Sequence, residues 1–238
     1  MYFNLIEPIP GEERQAAHEW MGGPYAEHQW LWRFFPAERG SPRDFLFRRR
    51  DLDGGPKFYV VSARPPTAPV GAWRVQSREY SPQVPAGARL SFELRANPVV
   101  NRMIEQKRTR HDVVMDAKKR MLAERGLANW NEWTADRRTA AGDADPPPAL
   151  YDLVHETCAD WLAQRAEKHG FAVDAPTLLV EAYEQHGAKK KAELRFSTVD
   201  FRGELTVTDA EKFSLALRKG IGPAKAFGCG LLLVRRPG

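Results

Sequence analysis

Gly220-Ile-Gly-Pro-Ala-Lys-Ala-Phe-Gly-Cys-Gly-Leu-Leu-Leu-Val234 gathers four glycines around one lysine and closes on an apolar run. Glycine reaches positive φ and lets another backbone approach closely, so this segment is a tight turn or a binding surface. Its flanks set the polarity. Upstream, Thr208 and Glu211 have capping-box spacing, Ala210, Phe213 and Leu217 share a helical face, and Gly220 stands at the stop position. Downstream, Leu231–Val234 reads as a strand. Phosphate-binding P-loops and dinucleotide fingerprints both run strand, glycine loop, helix. Here the order is helix, glycine loop, strand, which excludes both.

Moving outward, Leu90-Ser-Phe-Glu-Leu-Arg-Ala-Asn97 alternates apolar and polar, the pattern of a half-buried strand. A helix is predicted over 150–169, with Val154, Cys158, Trp161 and Leu162 on its apolar stripe and Gly170 ending it. Strands are predicted over 177–183, 191–199 and 204–207, the last two open to being continuous. The second half thus reads strand, helix, strand, strand, helix, strand, the split ferredoxin-like pattern. The first half reads as a degraded copy. It has strands over 1–6, 44–50, 57–63 and, after a proline-rich stretch, about 70–75. A helix over 24–35 starts on Pro24, the favoured first position, and no second helix is evident. The expected fold class is α+β, two tandem ferredoxin-like domains over 1–88 and 89–238 with a basic cleft between their sheets. A charged stretch over 102–148, holding Arg102, Lys107, Arg108, Lys118 and Arg125 among others, reads as a solvated helical insertion or an added contact surface.

Composition narrows the classes. A chain of 238 residues, 42% hydrophobic, can bury one large core or two small ones. Thirty-six Lys and Arg against 31 Asp and Glu give +5, which favours acidic partners without demanding them. Two cysteines, Cys158 and Cys229, are too few for a disulfide framework and read as small core residues. No apolar run approaches the roughly 20 residues of a membrane span, and the start lacks a signal-peptide pattern. The expectation is a cytoplasmic protein with no membrane partner.

His18, His28, His111, His155, His169 and His186 show no metal-ligand spacing, and neither a serine elbow nor a cysteine nucleophile signature is present. In Tyr25-Ala-Glu-His28, two polar rings three residues apart project from one helical face. Histidine can move a proton near neutral pH. The same spacing also fits two amphipathic residues beside a Trp/Phe core face. A second basic feature is Gly187-Ala-Lys-Lys-Lys-Ala-Glu-Leu-Arg-Phe-Ser197. If extended, it sets Lys189, Lys191 and Arg195 opposite Leu194 and Phe196. Such a row suits a phosphate backbone, or equally an edge hairpin kept soluble by lysine.

Arg43-Asp-Phe-Leu-Phe47, Leu94-Arg-Ala-Asn-Pro98 and Gly220–Gly230 occur here with a Tyr-x-x-His helix that closes on Trp-Arg-Phe-Phe-Pro36. Together they resemble CasE, the family of CRISPR-associated endoribonucleases of type I-E systems, from Met1 to about Val234. The stretch 110–148 departs from the shorter members. The resemblance implies tandem RAMP-type, RRM-like domains that cleave CRISPR precursor RNA within the repeat, 3′ of a stem-loop, with no metal and no cofactor. The nucleophile would be the ribose 2′-OH, leaving a 2′,3′-cyclic phosphate. His28 would be the general acid or base, and Tyr25 would position the 2′-OH or the histidine. Candidate RNA contacts are Arg43, Arg102, Lys107, Lys189, Lys190, Lys191, Arg195, Gly222 and Lys225. The implied partners are the retained RNA stem-loop and the other Cascade subunits, with a monomer in isolation. A non-catalytic RNA-binding subunit on the same fold is the alternative.

Overall fold

The computed structural model describes residues 1–20, 24–38, 40–52, 55–67, 71–104, 106–139, 148–188 and 191–237. The first unit comprises β1 (Tyr2–Pro8), α1 (Glu13–Trp20), α2 (Pro24–Leu31), β2 (Phe45–Leu52), β3 (Gly55–Ser62) and β4 (Trp73–Glu79). Its antiparallel sheet has the order β2-β3-β1-β4. Alternation along Phe45-Leu-Phe-Arg sends Phe45 and Phe47 to the helix side and Leu46 and Arg48 to the opposite face. The helix side is packed with Trp30, Leu31, Phe34, Phe35, Phe58 and Trp73, all buried. The Trp30 ring lies 4.5 Å from Trp73 and 4.8 Å from Phe58. Such aromatic pairs add about 0.5–1.5 kcal/mol beyond their buried area. They clamp α2 onto the sheet and so fix where His28 stands.

Two elements differ from expectation. The strand expected around 70–75 begins at Trp73, because Trp73 is the residue whose side chain enters the core. The helix α1 has no counterpart in the sequence reading, since its apolar face is only Ala16, Ala17 and Trp20, and Ala16 alone is buried.

The second unit comprises β5 (Arg89–Ala96), β6 (Val99–Ile104), β7 (Lys107–Asp112), α3 (Val113–Glu124), α4 (Trp130–Thr139), α5 (Leu150–Lys168), β8 (Phe171–Val173), β9 (Leu179–Ala188), β10 (Lys191–Val207), α6 (Ala210–Lys219) and β11 (Leu232–Arg235). Its sheet has the order β11-β5-β10-β8, with β9 also on β10. In both units the last strand returns beside the first, giving two ferredoxin-like α+β folds. Leu90, Phe92, Leu94 and Ala96 of β5 are buried in one core with Trp161 and Leu162 of α5 and Phe213 and Leu217 of α6. The two expected strands before α6 are one continuous β10.

The charged insertion is not helical throughout: β6 and β7 form a separate two-stranded hairpin ahead of α3 and α4. Arg102, Lys107, Arg108 and Arg110 were too charged to show a strand period, and hairpin pairing decides the conformation instead. Asp112 anchors the insertion. It caps α3 by accepting from the Met115 amide at 2.8 Å, and it accepts from the Tyr183 hydroxyl at 2.9 Å and from the Ser197 hydroxyl. The cap of α6 also differs from expectation. Asp209, not Thr208, accepts from the Glu211 and Lys212 amides, and a carboxylate is the stronger partner for a helix N-terminus.

Helices cover the outer faces, and the inner faces of the two sheets meet. Leu46, Val61 and Leu231 form an apolar seam flanked by Phe3, Tyr59, Tyr80 and Leu233. Beside it, Asp200 of β10 receives Arg48 of β2 at 3.2 Å and Arg95 of β5 at 2.8 and 2.7 Å. Burial works against the ionised carboxyl, yet Arg95 and Arg48 hold Asp200 below the usual carboxylate range. The cleft between the sheets is a cavity of about 460 Å³ whose lining includes Phe3, Arg50, Tyr59, Glu93, Arg202 and Arg235. It is of mixed charge rather than basic, because Arg50 pairs with Glu93 at 3.4 Å and Arg202 with Glu181 at 3.7 Å.

Candidate active site at the junction of the two units

Where the glycine-rich loop crosses from the second unit to the first, it meets α2 and β2. His28 lies in the last turn of α2, and the helix tightens into a 3-10 turn over Trp32–Phe34. Four residues on, the Trp32 indole N–H donates to His28 Nε2 at 3.3 Å. Nε2 therefore presents a lone pair, which leaves the proton of the neutral ring on Nδ1. Nδ1 is shielded and has no hydrogen-bond partner among the described residues. The rings of Trp32, Phe45 and Phe227 stand 6.2, 6.4 and 6.5 Å away. Burial, helped by the positive charge of Arg43, lowers the His28 pKa below the ordinary histidine value. The ring is neutral at pH 7.

Arg43 precedes β2 and is half-buried, its guanidinium 5.9 Å from the Phe45 ring. Its Nε and Nη1 are shielded without a partner, and no carboxylate pairs with it among the described residues. Burial lowers its pKa, but a guanidinium stays charged at any physiological pH. A buried, charged and unpaired fork is costly, and its natural complement is a carboxylate or phosphate.

The loop brings a second cation. Lys225 Nζ donates to the Lys219 carbonyl at 2.7 Å, pinning a short turn over Lys225–Phe227. Burial, then repulsion from Arg43 and Lys219, lowers the Lys225 pKa. Gly220 and Gly228 make this crossing possible. At φ 72°, Gly220 has no room for a side chain, since a Cβ would lie 2.8 Å from the Gly230 oxygen and 2.9 Å from Leu46 Cδ1. Gly228, at φ 77°, rests on the Phe47 ring, 3.3 Å from where a Cβ would stand. Phe227 stacks on Phe196 of β10 at 4.7 Å and 20°, and Phe196 stacks on His186 of β9 at 4.8 Å and 28°.

Of the residues singled out in the sequence, His28, Arg43 and Lys225 come together here. Tyr25 lies in the first turn of α2, one turn ahead of His28, but its side chain is outside the described residues. Gly222 faces the Trp161 ring, which would lie 3.5 Å from a Cβ at this position. Lys107 is exposed at the start of β7, and Arg195 is exposed on β10 beside Phe196. Arg102 is held by Asp116 at 3.1 and 2.5 Å. Lys189 and Lys190 lie outside the described residues, as does the side chain of Lys191. Trp32, Phe227, Phe196 and the Arg48–Asp200–Arg95 group were missed. The spacing of Trp32 from His28, one helical turn, was the available signal. Cys158 and Cys229 are free and buried, their thiols pushed up to about 12 by burial. No group of three or more His, Cys, Asp or Glu gathers among the described residues, and none of their helices is long and apolar enough to cross a membrane.

Residues 1–236 match the protein family described as CRISPR associated protein. The chain belongs to this family. Among its CRISPR-associated relatives is the Cascade subunit CasE of Escherichia coli strain K12, 30% identical over 219 residues that cover 91% of this chain and 94% of the relative. Another is the CRISPR-associated endoribonuclease Cse3 of Thermus thermophilus, 28% identical and covering 97% of this chain and 98% of the relative. Both place this family member with the CasE/Cse3-type endoribonucleases. The fold agrees with that of Thermus thermophilus Cse3 bound to an RNA representing a pre-cleavage complex, at TM-score 0.63 and 21% identity over 98% of each chain. It also agrees with Cas6e of Escherichia coli K-12, at TM-score 0.59 and 24% identity over 100% of each chain.

Proposed function

We propose that this protein is an endoribonuclease that cleaves CRISPR precursor RNA within the repeat, 3′ of the stem-loop, and keeps that stem-loop as a subunit of a Cascade-type complex. The observation that carries the reading is His28 held neutral beside Arg43, a guanidinium with no carboxylate partner among the described residues. In such a reaction the 2′-oxygen bonds to phosphorus, the P–O5′ bond breaks, and the 2′-OH proton is in effect passed to the departing 5′-oxygen. A 2′,3′-cyclic phosphate and a 5′-OH result. His28 moves a proton in this exchange. Its lowered pKa keeps a lone pair available at pH 7 and makes the imidazolium a stronger acid. Arg43 neutralises the charge that builds on the phosphate oxygens, in a shielded setting where that interaction is strong. Tyr25 positions the 2′-OH or His28.

Exposed cations at Lys107, Arg195 and Lys189–Lys191 suit the stem, because an A-form duplex is gripped by its phosphates and shape. Arg102, Lys225 and the loop around Gly222 complete the proposed RNA contacts, and the two units are proposed to divide at 88/89. One observation favours a non-catalytic RNA-binding subunit: both ring nitrogens of His28 are engaged or shielded. Incubating wild type and His28→Ala with a repeat RNA in EDTA separates the readings. Wild type is expected to leave a 2′,3′-cyclic phosphate, and His28→Ala to bind equally but cleave about 10²–10⁴-fold more slowly. Unchanged cleavage by His28→Ala removes the histidine from the mechanism, and loss of wild-type cleavage in EDTA removes metal independence.

A further inference from the structure

Three features far apart in the chain end on one row of rings: His28 on α2, Phe227 in the glycine-rich loop, and Phe196 with His186 on the β9–β10 hairpin. We propose that Phe227 and Phe196 are positioning residues for His28, so that RNA held on the cationic hairpin sets the proton-transfer ring in the opposite unit. This rests on the endoribonuclease reading above.

The His28 ring has a single hydrogen bond among the described residues, from Trp32, and that bond leaves the other edge of the imidazole to be placed by packing. Among the described residues, Phe227 is the one ring against it that comes from the second unit. Nor can Phe227 drift with its loop. Lys225 holds the Lys219 carbonyl at 2.7 Å, the Ile221 amide donates to the Gly230 carbonyl at 2.8 Å, and the Gly230 amide donates to the Arg95 carbonyl at 2.7 Å. At the far end, Phe196 pairs with His186 across the hairpin, and His186 Nε2 lies 2.8 Å from Thr198 Oγ1. Arg195, an exposed cation, is the neighbour of Phe196. A phosphate held at Arg195 therefore fixes a strand whose next side chain stacks toward His28. Displacing a reacting group by about 1 Å can cost ~10²-fold in rate, so this contact is sensitive to small shifts.

The test uses the full chain and a synthetic repeat stem-loop RNA under single-turnover conditions, with a 2′-deoxy version at the cleavage position for binding. Phe227→Ala is expected to cleave about 10- to 100-fold more slowly and Phe196→Ala about 10-fold more slowly. Affinity for the 2′-deoxy RNA should change less than about 2-fold, a loss confined to the chemical step. Phe227→Tyr and Phe196→Tyr, which keep the stack, should restore most of the rate. Phe227→Ala also opens His28 to water, while the Arg43 charge still acts on it, Lys225 stays beside Arg43 and Glu27 remains on its own helix. The rate–pH inflection should then move to higher pH. Both rings are only partly buried, and Phe196→Ala, on the paired strand β10, carries the test if Phe227→Ala folds poorly. Equal rates for the alanine variants and wild type overturn the row's role alone. So does a loss of rate matched by loss of affinity, or failure of the tyrosine variants to restore it. Wild type that binds the RNA without cleaving it overturns the nuclease reading and the row with it.

Discussion

Two cation-bearing places sit at the junction of the units, and they differ in what their cations touch. In the cleft between the sheets, Arg50 faces Glu93, Arg202 faces Glu181 and, at the rim, Arg89 faces Glu204 at 2.9 Å. At the His28 corner, Arg43 has no carboxylate among the described residues and Lys225 reaches only a backbone carbonyl. The cleft is a cavity of about 460 Å³ in which Arg50 and Arg202 already have carboxylate partners. The corner keeps two cations that repel each other, and both have lowered pKa values. A phosphate relieves that strain at the corner and would have to displace existing partners in the cleft. The number of arginines does not distinguish the two places; burial without a partner does, since Arg43 is half-buried with shielded, unpartnered nitrogens, whereas Arg235, the cleft arginine with no ion pair among the described residues, is exposed.

The largest effect should come from unbalancing a balanced site. Asp200→Ala leaves Arg48 and Arg95 buried and uncompensated, which costs about 3–5 kcal/mol and should appear in a denaturant melt. Because the Asp200 pKa is depressed, its stabilisation is present above the ordinary aspartate value and is lost as pH falls through the folded value. Asp200→Asn should therefore show a shallower loss of stability in acid than wild type. If Asp200→Ala melts like wild type, charge balance is not what holds the interface.

A smaller effect concerns His28. Its lowered pKa places the corresponding inflection of the rate–pH profile below about 6.5. Arg43→Met, by removing the neighbouring positive charge, should raise that inflection, whereas Arg202→Met should leave it in place. An inflection that ignores Arg43 would separate the two groups functionally. The smallest effect is in salt dependence. Arg195→Ala or Lys107→Ala should each reduce the slope of log affinity against log salt by about 1. Arg102→Ala should reduce it less, since Asp116 already neutralises that guanidinium.

Local signals made much of the fold legible. The alternation at Leu90–Asn97, the stop at Gly220 and the helix–loop–strand polarity gave the second sheet and its last helix. Where charge overwhelms pattern the reading failed: β6 and β7 carry four Lys and Arg among their twelve residues and looked irregular. A thin amphipathic face hid α1 in the same way. For the site, His28 stood out by helical spacing, Lys225 by its glycine-rich loop and Arg43 by motif resemblance, but no local rule brings positions so distant in the chain together. The absence of a partner for Arg43 among the described residues, and the stacking of Phe196 on Phe227, are properties of the folded chain. Sequence spacing carries no trace of either.

The central claim is that the unpaired cation at the His28 corner, not the paired ones in the cleft, serves the reaction. Its most direct test is the single-turnover cleavage rate of one repeat stem-loop RNA by Arg43→Met and by Arg50→Met. Loss of a preorganised group aimed at developing charge typically costs about 10²–10³-fold, and that is the loss expected for Arg43→Met, with Arg50→Met within about 2-fold of wild type. Equal losses in the two variants, or a larger loss for Arg50→Met, would contradict the account and move the reacting phosphate into the cleft.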